Sequence, residues 1–337
     1  MEPQSAQISA ESPQLPNEYG SREARGVGTE GPMLTAFWKM VAVGVFTLGT
    51  LGTLPSRDAF FDLSEGIALA ELAAVSYCNP SEIGNWTCKR CAEHPGFVPS
   101  AVVYDPEWNL QAYVGRDARR GVLVVFRGTV EDSLENWKNN FMTFRTKVAF
   151  PGMPPDAKVH DGFYRSWTKS TLHDNVINAT RAELMSAEFG SEAPPVTVVG
   201  HSLGGALATL CAAELVTELE LKNVRLYTFG CPRVGNAAFA KALMNSTLVH
   251  TRVTHDRDVI PSVPYRHMGY HHTAREVWER TVKIPGTGGL TVNVEITCDA
   301  SGEDPMCQDS VCGIAGSCAS VADHLMYLGV NLASGNC

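Results

Sequence analysis

Residues 200–206 read Gly-His-Ser-Leu-Gly-Gly-Ala, directly after the β-type run Pro195-Val196-Thr197-Val198-Val199 and directly before an apolar helical stretch, 203–219. A Gly-x-Ser-x-Gly placed between a strand and a helix constrains the fold more than any compositional property. The serine, Ser202, must occupy a tight strand-to-helix turn that pushes its Oγ out of a sheet. Gly200 and Gly204 let the backbones around that turn approach closely. The following helix aims its first amides at the space beside the serine, where negative charge can be stabilised. The same five-residue pattern occurs by chance in many chains, but the strand before it and the helix after it argue against chance here.

The rest of the chain supplies matching elements. Residues 64–77 carry apolar side chains at Ile67, Leu69, Ala70, Ala73, Ala74 and Tyr77, a helical spacing. Residues 102–104 and 110–114 read as a hairpin, and 121–126 (Gly-Val-Leu-Val-Val-Phe) as a buried strand. The stretch 162–189 reads as mostly helical, and 224–229 and 249–254 as strands. A second hairpin, 277–284 with 290–296, turns at Pro285-Gly286-Thr287-Gly288-Gly289. Strands alternating with helices predict an α/β protein with a mostly parallel central sheet covered by helices. With the elbow serine, this is the α/β-hydrolase fold in a single domain, 58–337. No internal repeat is evident.

Composition narrows the setting. The 337 residues are 44% hydrophobic and 19% charged, which suits a sizeable core, and the net charge of −9 argues against nucleic acid as a partner. Arg119-Arg120, the one basic pair that stands out, reads as a solvated turn. Ten cysteines are many for a cytosolic enzyme. Cys78, Cys88 and Cys91 bunch near the front, Cys298, Cys307, Cys312, Cys318 and Cys337 at the back, and Cys211 and Cys231 fall in the expected core. Cys88-x-x-Cys91 fits half a zinc site, but no second half is evident, so disulfides and an oxidising compartment are the preferred reading and no metal is expected. Three N-x-S/T sequons, at Asn85, Asn178 and Asn245, agree with glycosylation in that compartment. Residues 1–32 read as a disordered polar tail. The apolar run 40–54, flanked by Lys39, is shorter than the ~20 residues of a membrane span. Residues 33–57 therefore read as a signal peptide, with Met33 as the start, or as a short signal anchor behind a cytosolic tail. The secreted or secretory-lumen reading is preferred, with a membrane tether around 37–54 as the alternative.

A serine hydroxyl is a weak nucleophile at neutral pH and needs a base, which in turn needs an orienting carboxylate. In this fold the chain order is serine, acid, histidine. Asp256 and Asp258 both follow the strand 249–254, and periodicity does not separate them. His267, His271, His272 and His324 all lie downstream. The first three share one loop, whereas His324 opens an apolar helical pattern near the C-terminus.

These residues resemble the class 3 lipase family, the filamentous-fungal triacylglycerol lipase group, over about residues 60–337. The blocks are Phe126-Arg127-Gly128-Thr129; Val159-His160-Asp161-Gly162-Phe163; residues 200–206; residues 227–236, with Gly230-Cys231-Pro232-Arg233; residues 257–264; and Asp323-His324-Leu325-Met326-Tyr327. The resemblance implies Ser202 as nucleophile, Asp258 as acid, His324 as base, and Thr129 with the Leu203 amide as oxyanion hole; Asp256 falls outside the matched position. It also implies the disulfides Cys78–Cys337, Cys88–Cys91 and Cys298–Cys307. Cys312–Cys318 is read as an additional local loop, which leaves Cys211 and Cys231 as buried thiols.

The chain departs from the family at the lid. Val130, Leu134 and Trp137 form an apolar stripe at i, i+4, i+7, but the other face is acidic, with Glu131, Asp132 and Glu135. An acidic lid would weaken adsorption to anionic membranes. The expected activity is hydrolysis of lipid carboxylic esters at an oil–water or membrane interface, with no cofactor and no obligate protein partner. A phospholipase A1 or feruloyl-type esterase on the same scaffold is the nearest rival, and a catalytically silent lipid-binding protein a more distant one.

Overall fold

The computed structural model describes residues 61–130, 144–186, 194–313, 317–332 and 337. The tail 1–32, the segment 33–57, and Leu134 and Trp137 of the expected lid lie outside the described residues. Eight strands lie side by side in chain order: β1 (Phe97–Asp105), β2 (Leu110–Asp117), β3 (Gly121–Phe126), β4 (Val196–His201), β5 (Val224–Phe229), β6 (Val249–His255), β7 (Glu276–Lys283) and β8 (Thr291–Thr297). Strands β3 to β7 run parallel, while β1–β2–β3 and β7–β8 pair antiparallel. Register sets Phe126 beside Gly200 and His201 beside Phe229.

The strand β3 is buried along its whole length, and so is β4. Parallel strands covered on both faces carry such continuous apolar runs. Alternation then sorts their side chains. Leu123, Val125, Val199, Phe229 and Val253 face α1 (Leu63–Val75). Val122, Val124, Phe126, Val196 and Val198 face the opposite layer, built from α2 (Asp161–Lys169), α3 (Leu172–Leu184) and α4 (Leu203–Thr217). The described residues form one compact unit.

The stretch 162–186 is mostly helical, as expected, and is divided into two helices where Asp105 Oδ2 accepts from both Thr171 N and Thr171 Oγ1 at 2.8 and 2.9 Å and turns the chain; 187–189 lie outside the described residues. Two readings need correction. The apolar pattern after His324 is a single 3-10 turn, Asp323–Leu325, followed by the short strand Met326–Tyr327 paired with Val330–Asn331. Arg120 is not solvated: it is buried and paired with Glu65 at 2.8 and 2.7 Å and with Asp117 at 3.2 Å, while Arg119 is exposed.

Four disulfides join Cys78–Cys337, Cys88–Cys91, Cys298–Cys307 and Cys312–Cys318, and Cys211 and Cys231 are buried thiols. The first spans 259 positions, a closure worth roughly 5 kcal/mol in the chain-entropy model. Asn85, Asn178 and Asn245 are exposed. Among the described residues no helix is long and apolar enough to cross a membrane.

Candidate active site

The C-terminal ends of the parallel strands gather the chemistry, as is usual for such sheets. Strand β4 ends at His201, and Ser202 takes φ 57° and ψ −128° before α4 begins. A non-glycine residue there is strained by about 1–3 kcal/mol. Flanking structure holds it: Ser202 N donates to Phe229 O at 2.9 Å, and Gly205 N donates to Ser202 O at 2.9 Å. Side chains at Gly200 or Gly204 would strike backbone, of Gly204 and of Phe126–Arg127 respectively, so the turn closes only with glycine at both. Leu203 is the first residue of α4, so its amide has no acceptor within the helix.

Asp258 follows β6 in a tight turn, its own amide donating to His255 O at 2.9 Å. Its Oδ1 accepts from Ile260 N at 2.7 Å. Its Oδ2 accepts from His324 Nδ1 at 2.7 Å and also from the Tyr327 hydroxyl. Gln308 Nε2 donates to the Asp258 carbonyl at 3.2 Å. Asp258 and His324 have no exposed surface. Gly230, with φ +57°, makes room for the pair: a Cβ there would stand 2.8 Å from Asp258 Oδ2 and from His324 Cε1 and Nδ1.

A donor at Nδ1 leaves the other imidazole nitrogen of a neutral histidine as the acceptor. Among the described residues, His324 Nε2, Ser202 Oγ and Thr129 Oγ1 are buried side-chain atoms with no hydrogen-bond partner. Buried polar atoms are nearly always paired; of the seven unpartnered ones among the described residues, these three belong to the ends of β3 and β4 and to the C-terminal loop. Val130, the first residue of the expected lid stripe, is half-buried.

The competing residues point elsewhere. Asp256 Oδ1 accepts from Thr281 N within β7 at 3.0 Å, and its Oδ2 lies 3.5 Å from His255 Nε2. His267 stacks on Tyr265, His271 Nδ1 meets His272 O at 2.7 Å, and His272 Nε2 donates to Pro261 O at 2.9 Å. Arg233 is buried and joins Glu303 at 2.8 and 2.7 Å while donating to the Pro261, Ser262 and Pro264 carbonyls, which fixes the loop behind Asp258.

Tyr327, Tyr77 and His201 were not singled out from the sequence. Tyr327 lies three residues after His324 in the same block, the one signal that pointed to it. Burial, reinforced by the Asp258 charge, holds its phenol well above the usual range, so it stays a donor. Burial raises Tyr77 likewise and pushes His201 well below the usual imidazole range, so His201 is neutral.

A family model described as lipase (class 3) matches residues 123–268. A lipase from Rhizomucor miehei is 32% identical over 279 residues, covering 80% of this chain and 69% of its own. The chain belongs to the class 3 lipase family. It is a carboxylic ester hydrolase. A secreted mono- and diacylglycerol lipase from Fusarium solani is 33% identical over 225 residues, 64% of this chain and 63% of that one. A solved triacylglycerol lipase, described as having a serine protease triad at its catalytic centre, superposes with a TM-score of 0.66 at 29% identity. That superposition covers 80% of this chain and 95% of the solved chain.

Proposed function

We propose that this chain is a secreted lipase acting on acylglycerol esters, with Ser202 as nucleophile, His324 as base, Asp258 as orienting acid, and Thr129 with the Leu203 amide as oxyanion hole. The observation that carries the reading is the His324 ring, held by Asp258 at Nδ1 and unpartnered at Nε2, together with the unpartnered Ser202 Oγ. Ser202 Oγ attacks the ester carbonyl carbon and its proton passes to His324 Nε2. The oxyanion is met by the Leu203 amide and by Thr129, each such donor being worth ~3 kcal/mol. Collapse expels the alcohol, which takes the proton from His324 and leaves an acyl group on Ser202. Water, deprotonated by His324, then releases the carboxylic acid and restores the serine. The scheme needs no metal or organic cofactor. Four disulfides, exposed sequon asparagines and the secreted relative support export and glycosylation at Asn85, Asn178 and Asn245.

The test is hydrolysis of a short-chain triglyceride by the chain made in an oxidising secretory host, scanned through the substrate's solubility limit. Turnover with a rate jump above that limit is expected. Ser202→Ala should fold with its thermal midpoint unchanged and lose about six orders of magnitude in kcat. An active Ser202→Ala protein overturns the assignment, and smooth saturation without a jump makes the chain an esterase rather than a lipase.

A further inference from the structure

His201, the residue before Ser202, makes two contacts that fix its protons. Its Nε2 lies 2.8 Å from the carbonyl oxygen of His324, which can only accept. Nε2 therefore carries the hydrogen and Nδ1 is the acceptor. Nδ1 lies 2.6 Å from the Tyr77 hydroxyl, which must donate to it. The Tyr77 oxygen also packs directly on Gly128, where an added Cβ would collide with it. The result is one directed chain of hydrogen bonds, Tyr77 Oη–H to His201 Nδ1 and His201 Nε2–H to His324 O, with its tyrosine end seated against Gly128.

The four participants come from four separate parts of the sequence. Gly128 precedes Thr129 at the end of β3, His201 precedes Ser202 at the end of β4, His324 lies in the C-terminal loop, and Tyr77 follows α1 beside Cys78. The His201 and His324 rings also face each other, with centroids 4.6 Å apart and planes at 31°. Neither Tyr77 nor His201 reaches Ser202 Oγ, His324 Nε2 or Thr129 Oγ1, since those atoms have no partner among the described residues. The relay acts on backbone: the strand end that carries the oxyanion residue and the peptide unit that carries the base.

We propose that Tyr77 and His201 are positioning residues that set the oxyanion strand end and the base loop relative to Ser202. This rests on the reading of Ser202, His324 and Thr129 given above. Neither residue touches the ester in this scheme, so their loss acts on the acylation rate and not on ester binding. Small misplacements of reacting groups carry large rate penalties.

The experiment uses the full chain and three variants, Tyr77→Phe, His201→Phe and His201→Gln. A soluble short-chain ester gives kcat and KM. An alkyl phosphonate gives a rate of covalent labelling, with the adduct mapped by mass spectrometry. Tyr77→Phe and His201→Phe should lose about 10- to 100-fold in kcat and labelling rate, with KM within about threefold of the parent. His201→Gln keeps a donor and an acceptor on its side chain and should recover most of the rate. Tyr77→Phe removes one oxygen only, so it decides the matter if His201→Phe does not fold, and the Gln variant decides it if Tyr77→Phe does not. Folded Tyr77→Phe or His201→Phe protein with kcat within about twofold of the parent overturns the relay, as does an equal loss in His201→Gln and His201→Phe. A parent protein that is not labelled at Ser202 overturns the reading beneath it instead, and the mapped adduct tells the two failures apart.

Discussion

A single carboxylate oxygen, Asp258 Oδ2, serves two donors, His324 Nδ1 and the Tyr327 hydroxyl, while Oδ1 is held by the Ile260 amide. Such a carboxylate cannot rotate without breaking three bonds, and it selects the tautomer in which Nδ1 carries the proton. Asparagine there offers no charge and presents an amide to one of the donors. Asp258→Asn should lower kcat by about 10³- to 10⁴-fold with the fold intact. Asp256→Asn should stay within about threefold, because the Asp256 side chain bonds to the Thr281 amide of β7 and lies beside His255, not beside His324. Steady-state rates on a soluble ester separate the two, and equal losses would contradict the assignment. Chain order made the meeting of Asp258 with His324 legible in the sequence, because the fold demands serine, acid and base in that sequence. The partnership of Tyr77 with His201 was not legible. It joins positions 124 apart, and a tyrosine at the end of an apolar helical stripe reads as core.

At the scale of elements, the layer of α2, α3 and α4 is pinned by Glu214, whose two oxygens accept from Trp167 Nε1 at 2.9 Å and His173 Nε2 at 2.8 Å. Trp167 belongs to α2, His173 to α3 and Glu214 to α4. The Glu214 hydrogen bond, with Asp174 at the other ring nitrogen, raises the His173 pKa to about 9. The imidazolium is favoured in the folded protein, so its contribution is fully present below an unfolded-state pKa of about 6.5 and is lost as pH rises through 9. Thermal midpoints should fall between pH 7 and 10, and His173→Gln should flatten that fall; an unchanged slope in the variant would exclude the contact as its source. The elements themselves were readable from hydrophobic pattern, most plainly β3 and β4, which carry three valines each. What period could not show was the break between α2 and α3. That break depends on Asp105 from β1, a partner distant in sequence.

Across the whole molecule, three buried histidines are held neutral. His250, between Thr228 Oγ1 at 3.1 Å and Thr273 Oγ1 at 2.6 Å, is lowered to about 3 by burial and by Arg252. Burial also lowers His201, and burial with Arg252 and Arg233 lowers His272. Unfolding exposes all three to protonation, so the unfolded state binds more protons below an ordinary histidine pKa of about 6.5. Stability should therefore decline steadily as pH falls from 6.5 to 4, seen by calorimetry as a falling midpoint. A flat acid profile would mean these rings are hydrated in the native state.

The bond between Cys78 and Cys337, whose Cα atoms lie 5.3 Å apart, has a topological consequence. Covalently, everything from Cys78 to Cys337 is a circle, and the eight strands follow one another around it in the order in which they sit in the sheet. A circle has no privileged starting point. A single cut at an exposed tip such as 285–289 leaves one connected molecule with every strand between its proper neighbours, so the ring tolerates being opened there and read from a different beginning.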